Sequence, residues 1–69
     1  MSDLVKRSFT LSRHRTSIAL EPEFWAVLEE MSESHSLASL IARIDATRPP
    51  ERPLASALRV ACLLSLQGS

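Results

Sequence analysis

The sequence predicts a mostly helical chain with a short β-ribbon near its N-terminus, built as a homodimer with an additional C-terminal helix. Three observations carry this. Residues 15–20, RTSIAL, alternate with the period of a strand; three later segments repeat apolar residues at helical spacing; and the last of these, residues 54–67, is apolar around most of its circumference.

The chain has 69 residues and a formal net charge of zero. That length supports a single domain, 1–69, with a modest core, and domains this small commonly need a disulfide, a metal or a partner. Cys62 is the only cysteine, so no intrachain disulfide can form, and no Cys/His group has zinc-site spacing. Self-association is the remaining means of support, and no cofactor is expected. Hydrophobic content of 45% with a single glycine indicates a folded chain. The N-terminus lacks the apolar core of a signal peptide and the longest apolar run, Val60 to Leu64, is far too short to span a bilayer. The expected location is cytoplasmic.

In residues 5–11, VKRSFTL, Val5, Arg7, Phe9 and Leu11 share one parity, and Lys6, Ser8 and Thr10 take the other. In residues 15–20, Thr16, Ile18 and Leu20 form one face, and Arg15, Ser17 and Ala19 the opposite one. Both segments are expected strands. Ser12 and Arg13 lie between them, although they are not the Asn-Gly or Asp-Gly pair that marks a tight hairpin. Glu21-Pro22-Glu23 starts a helix: proline suits the first helical position and the carboxylates complement the positive end of the dipole. Phe24, Leu28 and Met31, flanked by Trp25 and Val27, give that helix an apolar stripe over about 22–34. Ser36 is an N-cap for a second helix over 37–47, with Leu37, Leu40, Ile41 and Ile44 on one face. Pro49-Pro50 ends it, and the proline-rich loop 48–53 is stiff. In the third helix, 54–67, Leu54, Leu58, Ala61 and Leu64 form one stripe, while Val60, Cys62, Leu63 and Leu66 extend apolar character beyond it. Such a helix is expected to be buried on nearly every side, which in a short chain requires a second copy.

Charge is unevenly placed. Residues 1–20 hold Lys6, Arg7, Arg13 and Arg15 against Asp3, a balance of 4 − 1 = +3; residues 21–69 hold four arginines against seven acids, 4 − 7 = −3. A basic segment on an acidic body is the footprint of a phosphate-binding surface, or of a solubilising tail. One strand of about six residues is not a stable sheet. Two copies of residues 15–20 pairing antiparallel about a two-fold axis would bury Thr16, Ile18 and Leu20 and present Arg15, Ser17 and Ala19 twice. A two-stranded ribbon fits the DNA major groove, where arginine donates to guanine O6 and N7, serine pairs with several base edges and an alanine methyl can meet thymine.

These residues reach a known pattern. HRTSIALEPEFWAVLEEM resembles the ribbon-helix-helix proteins, small dimeric DNA-binding repressors of the Arc/MetJ type, and KRSFTL, SLASLIARIDATRPP and LASALRV extend the likeness, over residues 5–66, to a short bacterial subfamily with an extra N-terminal strand. The resemblance implies a sequence-specific transcriptional repressor acting as a dimer on double-stranded DNA through a β-ribbon, with higher assembly on DNA open. Base contacts then fall to Arg13, Arg15, Ser17 and Ala19. It implies phosphate contacts at the N-terminus of the helix after the loop, Ser36 and Leu37, or at Leu54 to Ser56 if the last helix plays that part; Pro53 lacks an N–H there. Residues 5–11 either pair as an extra strand or lie as an arm on the phosphates through Lys6 and Arg7.

The remaining chemistry-bearing residues suit structural roles. His14 shares the parity of the packing face, His35 ends a helix, Cys62 lies in an apolar helix, and Trp25 is a core or interface anchor. No serine has an arranged base and acid, and Gly68 alone makes no phosphate loop, so no catalytic residue, metal site, membrane contact or small-molecule substrate is expected. The competing reading is a dimeric protein-interaction module that keeps the fold and no longer binds DNA; the neutral charge and the apolar last helix motivate it.

Overall fold

A computed structural model of the chain describes residues 3–68, so residues 1, 2 and 69 of the expected 1–69 domain lie outside the described residues. Two strands, β1 (Val5–Leu11) and β2 (His14–Leu20), precede three helices, α1 (Pro22–Met31), α2 (Leu37–Thr47) and α3 (Leu54–Gln67). β1 pairs antiparallel with β2 of the same chain, from Val5↔Leu20 through Ser8↔Ser17 to Leu11↔His14. The ribbon is therefore a hairpin within one chain. This settles that residues 5–11 are a strand and not an arm.

The two-residue connection explains why the hairpin was hard to anticipate. Ser12 and Arg13 have φ of 50° and 72°, both left-handed. Two consecutive positive φ values between strands define the turn whose twist matches a hairpin, which glycine and asparagine usually supply. L-residues with a Cβ pay roughly 1 kcal/mol or more each for that region. The cross-strand pairing of seven residues on each side, with one face buried, outweighs it.

The buried face of the hairpin holds Leu11, Ile18 and Leu20 against helices α2 and α3. Leu20, Leu28, Ile41, Leu58 and Cys62 are fully buried at the centre, one from each of β2, α1 and α2 and two from α3. Each such side chain contributes on the order of 1.5–3 kcal/mol of transfer free energy. Trp25 is also buried and ties α1 to the hairpin: its indole Nε1 donates to the Val5 carbonyl at 2.8 Å, and its ring lies 5.9 Å from that of Phe9.

Helix boundaries follow local chemistry. Glu21 precedes Pro22 at the start of α1, where Arg59 of α3 donates twice to the Glu21 carboxylate, at 3.1 and 3.0 Å. A hydrogen bond from its own backbone amide, and then the Arg59 guanidinium, hold the Glu21 carboxyl below the ordinary carboxylate value. The first helix ends at Met31, not near 34. Ser32 is buried, its hydroxyl donates to the Glu29 carbonyl, and Glu33 and His35 continue in i→i−3 bonds, so the chain tightens into turns. α2 begins as expected, with the Ser36 hydroxyl accepting from the Ser39 amide at 3.0 Å. α2 and α3 span the residues the periodicity assigns.

Within the single chain, the outer side of α3 stays uncovered. Ala57, Leu58 and Cys62 are buried, but Leu63, Leu64 and Leu66 stay 52%, 62% and 59% exposed, because a single chain has nothing left to cover them. No helix of the described residues is long and apolar enough to cross a membrane.

Candidate nucleic-acid interface

The pairing register builds the site. Because side chains alternate, placing Ser8 opposite Ser17 puts Lys6, Ser8 and Thr10 of β1 on the same face as Ala19, Ser17 and Arg15 of β2. That face points away from the core, and all of its residues are exposed except the half-buried Ala19. The Ser8 and Ser17 hydroxyls lie 3.1 Å apart at its centre. Lys6 and Arg15 sit toward opposite ends, four residues apart along the ladder, a spacing of roughly 13 Å. Arg13 projects from the exposed tip of the hairpin. The face thus carries hydroxyls in the middle, cations at both ends and no carboxylate.

Ion pairing sharpens the charge pattern. Among the described residues, Arg7, Arg48 and Arg59 are matched with Glu29, Asp45 and Glu21 at 3.0, 2.8 and 3.0 Å. The side chains of Lys6, Arg13, Arg15, Arg43 and Arg52 have no carboxylate partner among the described residues. Three of those five cations belong to the hairpin, so the net charge of zero conceals a locally unneutralised surface.

Arg7 is placed differently from Lys6. It lies on the core-facing parity, its guanidinium 5.0 Å from the Trp25 ring and 5.9 Å from that of Phe9, with Glu29 against it. It fastens the hairpin to α1. At the start of α2, the Ser36 hydroxyl is engaged by Ser39 through the amide and the side-chain oxygen, leaving the first backbone N–H groups as the anion-facing feature of Ser36–Leu37. Leu37 itself packs against the core. At the other candidate anchor, the start of α3, Pro53 is the N-cap and contributes no side-chain cap bond. His14 is exposed at the strand end opposite Leu11.

Ser8 and Thr10 are face residues that the sequence alone did not single out as contacts. Their parity with Lys6 was visible, but only the register with β2 shows that they share a surface with Arg15 and Ser17.

Comparisons with known proteins bear on this arrangement. A family model described as a ribbon-helix-helix domain matches residues 4–66. The chain belongs to the ribbon-helix-helix family. That fold, here a two-stranded antiparallel ribbon followed by three helices, is typical of DNA-binding regulators. Among solved structures, an uncharacterized protein from Bordetella pertussis Tohama I is similar, with a TM-score of 0.76 and 31% identity. The match covers 97% of this chain and 60% of that one, so the chain spans about three fifths of the length of that relative. No curated protein matches the chain.

Proposed function

We propose that this ribbon-helix-helix protein is a sequence-specific DNA-binding repressor that enters the major groove with its own hairpin and acts in two copies. The observation that carries the reading is the outward hairpin face, with Lys6, Ser8, Thr10, Arg15 and Ser17 exposed and its cations unpaired among the described residues. The two strands of a ribbon lie about 4.8 Å apart and a major groove is about 12 Å wide, so one hairpin is a complete insert.

In this account Arg15, with Ser17 and the hydroxyls of Ser8 and Thr10, reads base edges. The Ala19 methyl makes an apolar contact, Arg13 reaches from the tip, and Lys6 and the Ser36–Leu37 amides hold phosphates. Arg7 is left out of the phosphate set, because Glu29 takes its charge and the aromatic rings hold it on the other face. Nothing in the account calls for catalysis or a metal, and no group of three or more His, Cys, Asp or Glu that could hold a metal ion is found among the described residues.

The test is selection of bound duplexes from a random pool, followed by affinity measurement with the selected site. Arg15→Ala should weaken binding to that site by about 1–3 kcal/mol and relax preference at one position. Lys6→Ala should weaken all duplexes alike and reduce the salt slope by about one. A pool that enriches no sequence would remove the repressor reading. The second reading, an interaction module that has lost DNA binding, is favoured by the exposed leucines of α3. It predicts a stable protein partner and no retained DNA at about 0.1 M salt, where phosphate contacts are still substantial.

A further inference from the structure

The C-terminal end of a helix favours cations and disfavours carboxylates, because the helix dipole is negative there. α1 does the reverse. Its last turn holds no basic residue, Glu30 lies in that turn and Glu33 just beyond it, and both are exposed. Neither carboxylate has a cationic partner among the described residues, where the ion pairs take Glu21, Glu29 and Asp45. α3 also ends without a basic residue in its last turn. Toward the C-terminal ends of these two helices lies an open groove of about 330 Å³, lined by Val27, Met31 and Leu66 together with Glu30 and Glu33. Val27 and Met31 rest on the core, whereas Leu66 is 59% exposed. Glu23, also unpaired among the described residues, lies two turns before Glu30 on the same helical face, about 10 Å away.

We propose that this α1–α3 groove docks a basic amphipathic segment of a partner protein, with its apolar side chains on Val27, Met31 and Leu66 and its lysines or arginines on Glu30, Glu33 and Glu23. Charge identifies the occupant. Carboxylates at the negative end of α1, with no counter-charge from the described residues, oppose the electrostatics of the helix that carries them, and a local choice of that kind is the mark of a functional surface. A bound cation relieves the opposition. The same carboxylates repel phosphate, so nucleic acid is not the occupant, and a second copy meeting the groove face to face would set Glu30 and Glu33 against themselves. The apolar floor adds what a simple counter-ion does not use. It selects a chain segment that carries apolar and basic side chains on adjoining faces, as helices that dock in grooves do. The groove is separate from the outward hairpin face, whose cations carry the proposed DNA contact, so the proposal goes beyond that reading and does not depend on it.

The test uses the full chain without DNA. The probe is a labelled synthetic helix with leucines at i, i+4 and i+7 and lysines flanking that stripe, set against a scrambled peptide of the same composition. The patterned peptide should bind with a Kd below about 1 mM, more weakly as salt rises, and should shift the amide signals of Val27, Glu30, Met31, Glu33 and Leu66. The double variant Glu30→Gln, Glu33→Gln and, separately, Leu66→Ser should each weaken binding about tenfold or more. The double variant should melt no lower than the parent, since the two charges it removes oppose the helix dipole, and so its weaker binding is not a loss of fold. Glu51→Gln, which removes an acid outside the groove, and Arg15→Ala, whatever it does to DNA binding, should bind the peptide like the parent. Equal binding of the scrambled peptide, binding indifferent to the groove variants, or no binding of the patterned peptide up to about 1 mM would overturn the proposal. So would groove signals that move with chain concentration in the absence of peptide, which would put a second copy there.

Discussion

Trp25→Phe should loosen the hairpin from the helices without touching its outward face. Three interactions are involved. The indole donates to the Val5 carbonyl at 2.8 Å, its ring supports that of Phe9 at 5.9 Å, and the Arg7 guanidinium lies 5.0 Å over it. Phenylalanine keeps an aromatic ring and so keeps much of the ring stacking and cation contact. It loses the donor entirely. Val5 is exposed, so its carbonyl can be hydrated, and the lost hydrogen bond costs about 1 kcal/mol and not the larger penalty of a buried orphan. Trp25 is buried at 4% exposure, so the missing ring leaves a gap that adds roughly 1 kcal/mol or more. A total near 2 kcal/mol in a domain of this size lowers Tm by about 8–16 °C. Thermal unfolding followed by circular dichroism measures this, and amide exchange adds the location. Protection should fall first in β1 and least in α2. A Tm loss under about 3 °C, or protection lost uniformly, would refute the view that Trp25 is what ties the hairpin down.

Replacing Ser12 and Arg13 by Asn-Gly removes the cost of two L-residues at positive φ, so Tm should rise while DNA affinity falls through loss of the Arg13 cation; thermal melts and a binding titration on the same variant check both. Ser36→Ala deletes the cap that accepts from the Ser39 amide and should cost about 1 kcal/mol in urea unfolding. Burial pushes the Cys62 thiol up from its ordinary value, so a disulfide reagent should label it only as fast as the chain unfolds and at once in denaturant. Glu21, with a lowered carboxyl pKa, adds stability that is present above the unfolded-state value and is lost as pH falls through the folded one. Glu21→Gln should therefore flatten the acid side of the stability profile, read by thermal melts between about pH 3 and 6, around the ordinary carboxylate range.

The parts of the fold set by periodicity were legible from residues alone. Alternation in RTSIAL and helical spacing in 37–47 report which side of each element meets the core; in 54–67 the spacing gives the bounds of the helix but puts the exposed Leu64 on the packed stripe and leaves the buried Ala57 and Cys62 off it; proline, serine and the Pro49-Pro50 pair mark boundaries by backbone chemistry. What was not legible depends on pairing between segments. Ser12-Arg13 supplies no turn signature, so the hairpin follows only from the register that buries Leu11 with Ile18 and Leu20. The same register adds Ser8 and Thr10 to the outward face and takes Arg7 away from it. Arg7 shares the parity of Phe9, and its partner Glu29 is 22 residues away, too far for any local pattern to reveal. The end of α1 was overextended because Glu33 suits a helix, whereas the Ser32 hydroxyl competes for the Glu29 carbonyl and turns the chain.

The central claim is that the outward face of the hairpin is the surface that meets DNA. Amide and side-chain chemical shifts of the isotope-labelled chain, followed while the selected duplex is added, test it residue by residue. The account predicts the largest changes at Lys6, Ser8, Thr10, Arg13, Arg15 and Ser17, a second set at Leu37 and Ala38, and little change at Arg7, Phe9 or the α3 leucines. Changes confined to α3, or none anywhere in the hairpin, would contradict it.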